Sequence, residues 1–510
     1  MLANVDSAYF MGLDSFRVKV EIDISRGLPS FCIVGLPDAA IQESKERVRA
    51  SIINSEYEFA LKKITINLAP ANIKKEGPSF DLPIAIGVLA ATGQFKSPIL
   101  DDYVIAGELS LSGKVRKIKG ALLIAEYAKT SNKKGVILPR ANTLEASIIQ
   151  GIDIIGVSSL EETVCFLKGE TEIKAIRNQS LQTRLSLNSY PFDLCEIKGQ
   201  QLAKRALEIA ISGGHNMLMI GPPGSGKTML AKRAPTILPD LSPNEAIEVT
   251  KIYSISGLLT KTNLLTRRPF RHPHHTISAA GLAGGGTHPR PGEISLSHHG
   301  ILFLDEFGEF SKHCLEVLRQ PLEERSVTIS RALTSLTYPA QFTLIAAMNP
   351  CPCGWMGDKQ RECICSNSQI RNYRRKTSGP LLDRIDIHIG LARLTKEELM
   401  QINHTESSVD IKKRVDIARG IQKERFKKSN VSSNAQMGPS HIKKYCTTEP
   451  KASEFLSKAI DKLGLTGRSY DKVIKVSRTI ADLAGKETIG CQELAEALQY
   501  RLLDRETING

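Results

Sequence analysis

The sequence predicts an α/β multidomain protein, and three observations carry that prediction. From Gln200 to about residue 391, apolar runs alternate with amphipathic segments, the pattern of a parallel sheet covered on both faces. Before residue 172, short β-type runs mix with helical stretches, which predicts a separate α+β domain. After residue 392 the strand signals fade and helical periodicity takes over. A chain of 510 residues is long enough for roughly two to four domains of ordinary size.

In the first region, residues 1–172, FRVKVEI and FCIVGL read as strands, and DAAIQESKERVRASIINS reads as a helix opened by Asp38. Residues 173–193 are polar and lose periodicity, as a linker does. In the core, residues 194–391, QLAKRALEIAISG predicts a helix, while NMLMIG, ILFLDE and FTLIAAMN predict buried strands. In residues 392–510, SYDKVIKVSRTIADLAG and CQELAEALQYRLLD predict helices of a small terminal domain. The chain contains no internal repeat and no low-complexity tract.

Hydrophobic residues are 41% and charged residues 24%, an ordinary globular composition that argues against general disorder. Lys plus Arg outnumber Asp plus Glu by 68 to 54, a formal +14, so the surface field favours a polyanion such as nucleic acid. The opening MLANVDSAYFMGLDSFRVKVEI lacks the order of a signal peptide, and no apolar run approaches a membrane span. The expected location is the cytoplasm, where thiols stay reduced and a cysteine cluster reads as metal-binding before it reads as disulfide.

Two stretches carry nucleotide chemistry. Gly221, Pro222, Pro223, Gly224, Ser225, Gly226, Lys227 and Thr228 spell GPPGSGKT between a predicted strand and a predicted helix. Backbone N–H groups of such a turn cradle phosphates, Lys227 adds charge toward the terminal phosphates, and the Thr228 hydroxyl is a Mg²⁺ ligand. Further along, ILFLDE ends a buried strand in Asp305, expected to hold the Mg²⁺ shell, and Glu306, expected to polarise the attacking water. Together they predict binding and hydrolysis of ATP.

Cys351, Cys353, Cys363 and Cys365 form C-x-C-x₉-C-x-C directly after FTLIAAMNP. Four thiolates are the donor set of a structural tetrahedral Zn²⁺ site, and the spacing matches no familiar iron–sulfur run. Cys32, Cys165, Cys195, Cys314, Cys446 and Cys491 are scattered and read as small buried apolar residues.

IKGQQLAKRALEIAISGGHNMLMIGPPGSGKTMLAKR, RPFRHPHHTIS, GGGTHPRPGEISLSHHGILFLDEF, VTISRA, AAMNPCPCG and SGPLLDRIDIHI closely resemble the magnesium-chelatase-like AAA+ ATPases of the ComM (YifB) type, the competence-associated DNA helicases. The resemblance extends to GLPSFCIVGLPDAAIQESKERVRASI near one end and TGRSYDKVIKVSRTIADLAG near the other. It implies an AAA+ P-loop core, a C-terminal helical lid and assembly into a homohexamer. It implies that Asn349 is the sensor-1 residue, that Arg384 in LLDRID is an arginine finger reaching a neighbouring subunit, and that Arg468 in TGRSYDKV is the sensor-2 arginine of the lid.

The first region is similar to the Lon-type peptidase domain, a ribosomal S5 domain 2-like fold. KEGPSFDLPIA places Ser79 at the nucleophile, but the position of the catalytic lysine falls on Leu122, with Lys117 and Lys119 earlier. Leucine cannot activate a serine hydroxyl, so a fold reused for assembly or DNA contact is expected, not a peptidase.

Between Thr228 and Asp305, RRPFRHPHHTIS and AGGGTHPRPGEIS read as an inserted loop or hairpin, with Arg267, Arg268 and Arg271 as phosphate contacts; EERSVTISRA offers Arg325 and Arg331. His272, His274, His275, His298 and His299 lack the spaced partners of a metal site. The resemblance therefore points to a ring-forming ATP- and Mg²⁺-dependent DNA motor that promotes branch migration during recombination and natural transformation. The alternatives are the motor subunit of a metal-insertion complex and, with Leu122 against it, an ATP-dependent protease.

Overall fold

The computed structural model describes residues 2–176, 190–259, 264–286, 290–330, 335–358, 360–377, 379–400, 406–463 and 466–501. Contacts divide the chain into two compact units: Met1–Leu185 with Pro243–Leu265, and Ser186–Ser242 with Thr266–Gly510.

The first unit is built on a four-stranded sheet of β1 (Leu2–Met11), β2 (Asp14–Ser25), β3 (Ser30–Val34) and β4 (Lys63–Ala69), in the order β1-β2-β4-β3. Its pairings are antiparallel except for the parallel β3–β4 pair. Strand β2 shows why the sequence folds this way: Val18, Val20 and Ile22 are buried, while Arg17, Lys19 and Glu21 between them are not. The helix Ala39–Asn54 opens at Asp38, whose carboxylate accepts from the Ile41 N–H at 2.8 Å. The helix Asp81–Ala91 is apolar nearly all round and buried along its length, as a central helix must be. Strands β5 (Tyr103–Ile105), β8 (Gly135–Pro139) and β9 (Asp153–Val157) form a parallel sheet, and β6 (Glu108–Leu109) pairs with β7 (Val115–Arg116).

Ser79 lies half-buried in the turn Pro78–Phe80, and Leu122 is fully buried in the helix Ala121–Thr130. The helix Pro243–Ser256, whose sequence lies inside the predicted core span of 194–391, belongs to this first unit. It buries Ala246, Val249 and Ile252, pairs Lys251 Nζ with Glu126 Oε1 at 2.6 Å, and donates from Ser254 to Glu145.

The second unit carries a five-stranded parallel sheet of β10 (Met217–Ile220), β11 (Phe270–Arg271), β14 (Ile301–Leu304), β17 (Thr343–Met348) and β18 (Ile387–Gly390), in the order β11-β14-β17-β10-β18. Leu302, Phe303, Ile345 and Met217 have no measurable exposure, so the central strands are covered on both faces. Two hairpins leave this sheet, β12 (Gly284–Gly285) with β13 (Arg290–Pro291), and β15 (Ser326–Ser330) with β16 (Ser335–Pro339). The helices Ser408–Arg425 and Gly467–Leu483 pack on the helix Gln201–Gly213, and Cys491–Gln499 packs on Gly467–Leu483. Among the described residues no helix is long and apolar enough to cross a membrane.

One sequence expectation fails here. Of the six scattered cysteines only Cys314 is buried; Cys165 and Cys446 are half-buried, and Cys32, Cys195 and Cys491 are exposed. Cys32 sits on β3, which carries sheet partners on one side only, and Cys491 opens a helix, so neither position is enclosed.

Candidate nucleotide site and its neighbours

β10 runs parallel between β17 and β18, and the turn Gly221–Gly226 leaves its carboxyl end to start the helix Lys227–Arg233. Gly226 has φ +91°, a left-handed conformation that favours glycine, and a Cβ on Gly221 would meet the Leu391 carbonyl at 2.4 Å. The Gln200 side chain pins the turn from outside, donating to Ser225 O at 3.2 Å and Ala392 O at 2.7 Å.

Lys227 is 8% exposed. Its ammonium donates to the carbonyls of Gly221 at 2.6 Å and Pro222 at 2.9 Å, and to Asn349 Oδ1 at 3.3 Å. Burial pulls it down to about 8, against the attraction of Asp305. Thr228 donates to Asp305 Oδ2 at 2.6 Å. The carboxyl ends of three adjacent strands therefore bring together Lys227 and Thr228 after β10, Asp305 and Glu306 after β14, and Asn349 after β17. In an open parallel sheet this edge is where ligands bind. Glu306 lies beyond Asp305 with φ +53°, its side chain 58% exposed and its Oε2 2.9 Å from Nδ1 of His275.

Known proteins resemble the chain in sequence. The family description "Magnesium chelatase, subunit ChlI" matches residues 193–399, "Subunit ChlI of Mg-chelatase" matches residues 20–142, and "Magnesium chelatase, subunit ChlI C-terminal" matches residues 405–501. "Uncharacterized protein YifB" of Escherichia coli is 41% identical over 510 residues, covering 100% of this chain and 98% of that protein. "Competence protein ComM" of Haemophilus influenzae is 41% identical over 507 residues, 99% of this chain and 98% of that one. The chain belongs to the magnesium chelatase ChlI family of AAA ATPases. The amino-terminal region of this AAA protein also resembles an "Archaeal Lon protease" of Methanocaldococcus jannaschii, 34% identical over 103 residues, 20% of this chain and 16% of that protein.

Arg384 and Arg468 lie together, apart from the phosphate turn. Both line a cavity of about 370 Å³ with Arg325, Lys472 and Lys475, whose acidic walls are Glu323, Asp383, Asp386 and Asp471; no residue of Gly221–Thr228 lines it. Arg384 is paired with Glu323 at 2.6 Å and its side chain is 11% exposed. Lys472, one turn after Arg468 on the same helix, donates to the carbonyls of Asp383 and Ile385, so the lid helix grips the turn that carries Arg384.

In this ChlI-family ATPase the four thiols of Cys351, Cys353, Cys363 and Cys365 lie within 4.8 Å of one another. The Sγ separations of 3.4 Å for Cys351–Cys353 and 3.6 Å for Cys351–Cys363 and Cys353–Cys363 sit near the edge of about 3.8 Å expected when sulfurs bind Zn²⁺ at about 2.3 Å. Hydrogen bonds from the backbone N–H groups of Trp355 and Ile364 hold the Cys353 thiol down to about 6. The same loop touches the phosphate turn, since a Cβ on Gly354 would lie 2.7 Å from Cδ of Pro223.

The arginines expected to contact DNA have varied surroundings. Arg268 donates to the carbonyls of Pro239 at 2.7 Å and His299 at 2.8 Å, and Arg271 makes a two-point pair with Glu293 at 2.5 and 2.7 Å. Arg267 is exposed, its guanidinium 5.1 Å from the Tyr190 ring centroid. Arg325 ends the helix Arg319–Glu324 with φ +56°, and Arg331 lies outside the described residues. The sequence reading missed Gln200, Glu323 and the His275 contact. The run HPHH beside a strand that neighbours ILFLDE was the available signal for the last.

Proposed function

We propose that this protein is a ring-forming DNA motor that hydrolyses Mg-ATP, a homohexamer promoting branch migration as DNA is integrated by recombination. The observation that carries the reading is the 2.6 Å hydrogen bond from Thr228 to Asp305 beside the buried Lys227. A hydroxyl and a carboxylate so close are two hard oxygen donors for one small divalent cation, so the residues fit Mg²⁺. Bound there, Mg²⁺ neutralises charge developing between the terminal phosphates.

The remaining steps belong to the chain. The N–H groups of Gly224 to Thr228 cradle phosphate oxygens, and Lys227 exchanges its carbonyl partners for the terminal phosphates. Glu306 accepts a proton from the attacking water, and Asn349, already 3.3 Å from Lys227, orients that water toward the terminal phosphate. Water adds to the terminal phosphorus as the bond to ADP breaks, giving ADP and inorganic phosphate. Arg384 serves the nucleotide of a neighbouring subunit and Arg468 is the sensor-2 arginine of the lid; both line one cavity away from the phosphate turn. The tetracysteine loop holds a structural Zn²⁺.

DNA enters the proposal from the net charge of +14 and from the full-length likeness to a protein named for competence. The proposed phosphate contacts are the basic residues of RRPFRHPHHTIS and EERSVTISRA, Arg267, Arg268, Arg271, Arg325 and Arg331. The deciding experiment is strand displacement on three- and four-way junctions with ATP, alongside ATP turnover with and without DNA. Absence of both displacement and DNA stimulation would sink the motor reading. A metal-insertion motor is the second reading, favoured by the family descriptions themselves. It predicts turnover indifferent to DNA.

A further inference from the structure

The cysteine loop and the helix after it carry charge that the ATP chemistry does not use. Residues 351–376 contain six lysines and arginines against two acids, Asp358 and Glu362. Loop and helix are continuous: Ser366, next after Cys365, caps the helix Asn367–Lys376 by accepting from the Gln369 N–H at 3.3 Å. Arg374 donates to Met356 Sδ at 3.7 Å, which ties the helix back to the loop. Tyr373 is the residue this helix buries, and it lies on Gly308, where a Cβ would stand 2.7 Å from its Oη. With that side turned inward, Arg371 and Arg375, four residues apart, share an exposed face of the helix.

Two more guanidiniums stand on the loop. Trp355 holds Arg361 at 4.7 Å and Arg393, just beyond β18, at 5.7 Å from its ring centroid. Arg361, Arg371, Arg375 and Arg393 are all exposed, and none has a carboxylate partner among the described residues. Other arginines of the same unit end on carboxylates: Arg205 on Glu208, Arg319 on Glu316, Arg414 on Glu406 and Arg425 on Asp482. A cation in the last turn of a helix also meets the negative end of the helix dipole, but Arg371 lies in mid-helix and Arg361 and Arg393 lie outside it. Four such charges make a positive field that favours an extended polyanion, and the planar guanidinium is the cation that meets phosphate at two points.

We propose that the cysteine loop and its helix form a phosphate-binding surface for DNA, with Arg361, Arg371, Arg375 and Arg393 as its contacts. The proposal rests on the reading of the chain as a DNA motor and adds a surface to the inserted segments named above. Guanidinium contacts to phosphate carry no sequence information, so binding here is indifferent to base order and weakens with salt.

Equilibrium binding of labelled duplex and single-stranded DNA to the full-length protein, read by fluorescence anisotropy across a salt series, tests this. Arg371→Glu with Arg375→Glu is compared with Lys427→Glu with Lys428→Glu, an exposed pair just past the helix Ser408–Arg425. Both pairs lower the net charge from +14 to +10, so a difference between them reports place and not total charge. The Arg371 and Arg375 variant is expected to raise Kd on the order of 10-fold or more, and to flatten the duplex slope of log K against log salt by about 2. The Lys427 and Lys428 variant is expected to change Kd by less than about threefold. Equal losses in the two variants, or wild-type affinity in the Arg371 and Arg375 variant, overturn the surface. Should that variant fail to fold, Arg361→Gln with Arg393→Gln, outside the helix, decides by the same salt slope. A wild-type protein that binds neither DNA instead overturns the motor reading on which the proposal rests, so the two failures are distinguishable.

Discussion

Glu323 holds the guanidinium of Arg384 at 2.6 Å, within the cavity that Arg468 also lines. The guanidinium proposed to reach a neighbour's phosphate is thus paired with a carboxylate of its own chain, and on that proposal engaging the neighbour requires an exchange of anions. Arg384→Ala is expected to reduce ATP turnover by about 1,000-fold in assembled rings while fluorescent-nucleotide binding stays near wild type. Mixing Arg384→Ala with Glu306→Gln subunits is expected to restore part of the rate, because some interfaces then combine an intact Glu306 with an intact Arg384. Mixed rings that assemble and stay inactive would exclude action on the neighbour.

The contact between Thr228 and Asp305 makes a prediction about metal rather than nucleotide. Thr228→Val keeps the side-chain shape and removes the hydroxyl, and Asp305→Asn keeps the shape and removes the charge. Both are expected to raise the Mg²⁺ concentration at half-maximal turnover, and Asp305→Asn to lower kcat by about 100-fold or more. A Mg²⁺ titration of turnover reads both effects. Unchanged half-saturation in the two variants would remove these residues from the metal shell.

The cysteine loop predicts a structural metal with a functional readout. Elemental analysis is expected to find about one Zn²⁺ per chain. Cys351→Ser with Cys353→Ser removes two of four ligands and is expected to abolish zinc retention. Because Gly354 rests on Pro223 of the phosphate turn, the same variant is expected to impair ATP turnover or ring assembly. A zinc-free, fully active protein would refute the structural-metal reading.

What the sequence made legible is what local pattern encodes. GPPGSGKT and ILFLDE carry their chemistry within a few residues of a buried strand, and Asp38 announces its helix through one capping carboxylate. FTLIAAMN likewise delivers Asn349 to the carboxyl end of β17. Glu323 and Arg384 illustrate the opposite case: a charged pair made between distant stretches has no periodicity and no spacing to detect. The helix Pro243–Ser256, which the sequence reading did not single out, is similar, since its membership of the first unit depends on Lys251 meeting Glu126 and Ser254 meeting Glu145. Arg268 and Arg271 were legible as basic residues of one segment, whereas the carbonyls and the Glu293 carboxylate that meet them are brought there by the fold.

The buried junction between the parallel sheet and the lid helices predicts how stability responds to acid. His215 has no measurable exposure; its Nε2 is 2.8 Å from Thr479 Oγ1 and its Nδ1 is 3.6 Å from Asp386 Oδ2. Burial holds the imidazole below its ordinary value of 6.5, outweighing the pull of Asp386. Burial pushes the Asp386 carboxyl up, but Lys472, then His215 and Lys475, together hold it well below the usual carboxylate range. Asp386 keeps its charge and its contribution at any pH above that range, so it does not titrate near neutrality. His215 does: below about 6.5 the unfolded chain takes up a proton that the folded chain refuses, and stability present above that pH is lost as pH falls. The unfolding midpoint of the full-length protein in denaturant is therefore expected to decline between pH 7.5 and 5.5, values bracketing about 6.5, and to decline less in His215→Gln, which has no group to protonate there. The baseline loss from replacing a buried ring appears at every pH, so the slope and not the midpoint carries the test. An unaltered slope in His215→Gln would assign the acid limb to other histidines and leave the His215 imidazole free to ionise in the folded state.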